Sequence, residues 1–119
     1  MNLAGLLPLI QSAPAYRQLV DSMGQEASEA TAGIRSREVL GVIQPARPYL
    51  VAALYRQLRR PLILLTARAE RVGYWVDQLR VWTGSDAILP FPEPDPLPYE
   101  RVAWTRETVI DRLTALTVL

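Results

Sequence analysis

Three short apolar runs, Val39 to Ile43, Pro61 to Thr66 and Ala87 to Leu89, are spaced along the chain with stretches of helical period between them. Their order constrains the fold more than any other feature. Apolar runs this short, bounded by Gly, Pro and polar residues, suit strands covered on both faces. Between the first two, Leu50, Val51, Leu54, Tyr55 and Leu58 form one broad apolar helical face, and Pro48 fits the first turn of that helix. Between the second and third, Val72, Trp75, Val76, Leu79 and Trp82 recur at helical spacing, with Thr66 placed to cap and Gly84 to terminate. Strand, helix, strand, helix, strand predicts an α/β fold: a three-layer parallel sheet flanked by helices, joined by right-handed crossovers. With only three strands the sheet has two open edges, so the chain reads as a truncated fragment of something longer.

The flanking segments predict helices. Leu3, Leu6, Leu7 and Ile10 give a short helical stripe. Ser12 and Pro14 then open a second helix with Tyr16, Leu19, Val20 and Met23 on one face, and Gly24 is placed to end it. Residues 1–36 are therefore expected to pack as N-terminal helices on an α/β subdomain spanning 37–119, the whole making one compact domain. Prolines at 90, 92, 94, 96 and 98 force an extended loop that cannot enter a sheet, which Phe91 and Tyr99 are expected to pin by burying their rings. A closing helix is predicted from near Thr105, with Glu107 in its first turn and Val109, Ile110, Leu113 and Leu116 facing inward.

Composition removes several function classes. The chain of 119 residues has no cysteine and no histidine, which excludes disulfides, thiolate or imidazole metal sites, and a Cys or His nucleophile or base. The 13 basic residues, all arginine, nearly balance 12 acidic ones, so net charge gives no reason to expect strong attraction to nucleic acid or anionic lipid. Arg56, Arg59 and Arg60 suit the negative end of a helix dipole. Glu93, Asp95 and Glu100 lie on the proline-rich loop without companion ligands, so no metal and no cofactor is assigned. The apolar start lacks a basic leader and is too short to span a bilayer, which makes the cytoplasm the default location.

The stretch Glu38 to Pro48 has the layout of a phosphate-binding loop without its working residues. Such a loop reads G-x-x-x-x-G-K-[ST] between strand and helix: amides cradle phosphate, the lysine reaches the terminal phosphate, and the hydroxyl holds magnesium. Gly41 occupies the first glycine position. Ala46 stands at the second, Arg47 at the lysine, and Pro48 at the magnesium-binding hydroxyl, where it also removes an amide donor. These departures predict a degenerate, nonbinding loop in a nucleotide-binding-like subdomain. Arg47 could still pair with phosphate, which leaves a divergent ATP-binding half of an ATPase or helicase as the alternative, although arginine cannot replace the magnesium ligand missing at Pro48. A parallel α/β module binding some other small molecule is a third possibility, by fold analogy alone.

Two groups of residues carry a family resemblance. The first is Val39-Leu40-Gly41-Val42 leading into the degenerate loop; the second is Leu89-Pro90-Phe91-Pro92, Leu97-Pro98-Tyr99-Glu100, and Arg112-Leu113 with Leu116. Together they resemble the amino-terminal region of the bacterial transcription-repair coupling factors (Mfd), whose first module is similar to that of the excision-repair protein UvrB. The resemblance implies a noncatalytic scaffold: the first subdomain of a UvrB-like module, packed against the remainder of its own polypeptide. It further implies that UvrA binds an adjacent domain beyond Leu119, and that RNA polymerase and DNA are engaged by an ATP-dependent translocase elsewhere in the full-length protein. Pro92, Leu97, Pro98, Tyr99, Glu100 and Arg112 are expected to be structural, with Arg112 pairing an acid such as Glu100 or bonding carbonyls at the strand ends.

Overall fold

The structure is a computed structural model that describes residues 2–28, 40–84, 88–93 and 103–118. Every regular element among them is helical. A 3-10 helix spans Ala4–Ser12 and is followed by α1 (Pro14–Ser28), a single 3-10 turn at Gln44–Ala46, α2 (Arg47–Leu58), α3 (Arg71–Thr83) and α4 (Arg106–Val118).

This arrangement overturns the three-layer parallel sheet. Among the described residues the three apolar runs are extended backbone without a ladder; Val39 and Ala87 lie outside them. In the first two runs the large side chains mostly face solvent, with Ile43 74%, Ile63 70% and Leu65 88% exposed, whereas Ile88 of the third packs against the helical core. The physical reason lies on the helices. A strand is stabilised only by a paired neighbour and a covered face. Here the core forms without a sheet, as Leu7, Tyr16, Ala52, Ala53 and Leu79 gather helices and the N-terminal 3-10 segment directly. With the helices turned toward one another, the first two runs receive little cover.

The N-terminal segment is helical with the wrong period for the expected stripe. A 3-10 helix has three residues per turn, so Ala4, Leu7 and Ile10, followed by Ala13, fall in line and pack on the core. Leu6 and Leu9 turn outward instead. The segment is strapped down by polar bonds as well as by packing. Leu3 N–H donates to the Val81 carbonyl in the last turn of α3 (2.8 Å), Tyr49 Oη to the Leu6 carbonyl (3.0 Å) and Arg56 Nη1 to the Ala4 carbonyl (3.0 Å).

In α1, Tyr16 and Leu19 are buried and Val20 and Met23 half-buried, following the spacing in the sequence. The helix continues past Gly24 to Ser28. Gly24 has no left-handed backbone and therefore does not cap, although glycine inside a helix costs about 1 kcal/mol relative to alanine. The apolar face expected of α2 only lines the core: Leu50, Val51 and Leu54 pack against it, Tyr55 is exposed, and the residues sealed inside are Pro48, Ala52 and Ala53. Small side chains at 52 and 53 let neighbouring backbones come close. Past its end, Arg59 adopts the left-handed conformation (φ 50°) and its N–H donates to the Tyr55 carbonyl.

In α3, Leu79 is buried, Trp75 and Trp82 pack on the core, and Gly84 (φ 87°) ends the helix as the sequence indicates. Trp82 meets Tyr49 with ring centroids 5.0 Å apart, joining the two helices. Thr66 does not cap α3. The helix starts at Arg71 after Glu70, and the Thr66 hydroxyl donates to the Arg68 carbonyl (3.0 Å) in the turn before it. Arg56 and Arg60 are committed to the N-terminal half, since Arg60 Nη2 donates to the Met23 carbonyl (3.3 Å) just as Arg56 reaches Ala4.

The closing helix begins where expected, with the Thr105 hydroxyl accepting from Thr108 N–H (3.3 Å) and Glu107 in the first turn. Its inward face differs from the predicted one. Thr108 and Ala115 are buried, whereas Ile110, Leu113 and Leu116 are 51%, 56% and 56% exposed. The predicted stripe assumed a sheet to receive it, and among the described residues α4 packs on no other helix.

Two outcomes follow from this packing. Leu7→Ala is expected to lower stability in denaturant unfolding by about 2–5 kcal/mol through cavity formation. Leu9→Ala, one residue off the 3-10 face, is expected to change it by less than about 0.5 kcal/mol; equal losses would mean that this segment follows an ordinary α-helical period. The second concerns alkaline pH. Burial, with a smaller effect from the Tyr49 phenol, raises Tyr16 above its usual value of 10.0. The folded state thus holds this proton more tightly, so the stability is intact below about pH 10 and falls as pH rises beyond it. Tyr16→Phe is expected to flatten that fall between about pH 9 and about pH 11; an unchanged slope would show that Tyr16 is not its source.

Candidate functional site

The turn leading into α2, read in the sequence as a degenerate phosphate loop, is closed upon itself. Val42 N–H donates to the Leu40 carbonyl (3.1 Å), Ala46 N–H to Ile43 (3.0 Å) and Arg47 N–H to Gln44. Pro45 and Pro48 have no N–H to offer. Ile43 and Gln44 remain as the amide donors of residues 42–48. Phosphate cradles require several adjacent amides aimed at one point, and this turn directs most of its own amides to its own carbonyls.

The side chains are similarly occupied. Arg47 Nε donates to the Val42 carbonyl (3.1 Å), folding the guanidinium back across the turn. Pro48, in the first turn of α2, is fully buried. It sits where a magnesium-binding hydroxyl would need access to solvent and phosphate. At Gly41 an added Cβ would meet no atom within 4 Å, so close packing does not require glycine there. Gly41, Ala46, Arg47 and Pro48 thus form a short, self-bonded entry into α2.

The second predicted group is brought together in part. Arg112, half-buried on α4, donates from Nη1 to the Pro92 carbonyl (2.7 Å). Its guanidinium carbon lies 4.0 Å from the Phe91 ring centroid and 5.1 Å from that of Trp104. A guanidinium between two aromatic faces gains cation–π attraction while its edge keeps a strong hydrogen bond. Of the two kinds of partner expected for Arg112, a carbonyl is seen at Pro92; Glu100, with Leu97, Pro98 and Tyr99, lies outside the described residues. Trp104 was not foreseen in this cluster. The signal available was an aromatic residue just ahead of a helix that carries one inward-facing arginine.

Among the described residues no group of three Asp, Glu, His or Cys side chains could hold a metal ion. No helix there is long and apolar enough to cross a membrane. A shallow surface depression lies between α1 and the end of α2, lined by Gln11, Tyr16, Arg17 and Gln57, with Gln11 Nε2 donating to Gln57 Oε1 (3.0 Å). It is remote in sequence from both predicted groups.

The chain is homologous to a fragment-sized region of known proteins. It is 32% identical over 114 residues to a transcription-repair-coupling factor from Mycobacterium bovis and, to the same extent, to one from Mycobacterium tuberculosis. The match takes in 96% of this chain and 8% of each relative, so the chain spans under a tenth of their length. No family model matches the chain. No solved structure matches it either.

The Arg112 cluster ties α4 to residues 88–93. Arg112→Ala is expected to cost about 1.5–3 kcal/mol, the range for a charge-assisted hydrogen bond, seen as a lower melting temperature and faster amide exchange in α4. Arg112→Lys should recover only part of this, because an ammonium lacks the planar stacking surface. Melting and exchange indistinguishable from the parent chain would refute the clasp.

Proposed function

We propose that this chain is a noncatalytic scaffold segment of a transcription-repair coupling factor acting in the cytoplasm. The observation that carries the reading is the 32% identity to such factors along 96% of the chain. The loop's chemistry supports the noncatalytic part. Phosphoryl transfer depends on positioning and charge neutralisation by amides, a cation and magnesium. Residues 42–48 spend three amides internally, Arg47 bonds its own turn, and Pro48 is buried without a ligand atom.

In this reading the segment contributes shape to a larger polypeptide and packs against its remainder. UvrA recruitment belongs to an adjacent region not contained in these 119 residues, and engagement of RNA polymerase and DNA belongs to the full-length protein. Exposed apolar side chains at Ile63, Leu65, Ile110 and Leu113 are consistent with a piece whose surroundings are supplied by more of the same polypeptide.

Titration with a fluorescent ATP analogue and magnesium tests the noncatalytic reading. No saturable binding is expected up to about millimolar concentration, beyond the usual affinity range of working nucleotide sites. Micromolar binding that Arg47→Ala abolishes would establish the divergent ATP-binding alternative instead. A pull-down with immobilised UvrA tests the assignment of that partner. The 119-residue chain is expected to be lost in the wash, while a longer amino-terminal piece of the same protein is retained; retention of the short chain alone would move the UvrA surface into these residues.

A further inference from the structure

We draw no further inference here: the strongest candidate, the apolar outer face of α4 formed by Ile110, Leu113 and Leu116 together with the exposed run Ile63–Leu65, is unpartnered, and nothing in the structure shows what covers it.

Discussion

The seating of the N-terminal 3-10 helix on α2 and α3 is the interaction on which the remaining architecture depends. Leu7 and the alanine pair Ala52 and Ala53 make the contact possible, since large side chains at 52 and 53 would hold the backbones apart. Three hydrogen bonds from α2 and to α3 then fix its register. Once this segment occupies the inner side of the helices, an α/β sandwich has no room to form there. The first two extended runs are left at the surface as a consequence of that choice, and their exposure follows from packing rather than from any unfavourable composition of their own.

Arginine is used throughout as a donor to backbone carbonyls. Arg17 reaches Ser12, Arg47 reaches Val42, Arg56 reaches Ala4, Arg60 reaches Met23 and Arg112 reaches Pro92. A guanidinium suits this role because it offers several N–H groups in a rigid plane and remains charged while one edge is engaged. By contrast, the carboxylate pairs among the described residues, Arg68 with Glu70 and Arg80 with Asp77, are widely exposed and contribute little. These five arginines therefore act as internal ties. That agrees with the near balance of total charge, which gives no strong external field.

The helices were legible in the sequence where a local signal and a tertiary role coincided. Pro48 marked the start of α2 and Gly84 the end of α3, because proline and glycine restrict or release the backbone regardless of what packs nearby. The face of α1 was readable for a similar reason. Other features depend on distant neighbours. Pro61 to Thr66 has the composition of a buried strand, but periodicity cannot supply the partner a strand requires. The stripe Ile110, Leu113 and Leu116 is helical as expected, yet which side turns inward was decided by Arg112 meeting Phe91 and Pro92. At the amino terminus the error was one of pitch, since Leu6 belongs to an α-helical stripe and Ala4 to a 3-10 one.

What residues 41–48 lack as a phosphate loop is legible in the sequence; what they do is not, for a physical reason. A phosphate loop is recognised by what each residue type can do: glycine permits approach, lysine supplies reach, and a hydroxyl supplies a metal ligand. Their substitution at Ala46, Arg47 and Pro48 removes those capacities whatever fold surrounds them. It does not reveal what the altered residues do instead. The geometry supplies that part, because Arg47 bridges to Val42 and Pro48 is fully buried in the first turn of α2. Restoring lysine and threonine at 47 and 48 alone would remove a tie and place a polar hydroxyl in the buried position now held by proline, without freeing the amides of Ala46 and Arg47. The turn's residues are thus matched to holding α2 in place.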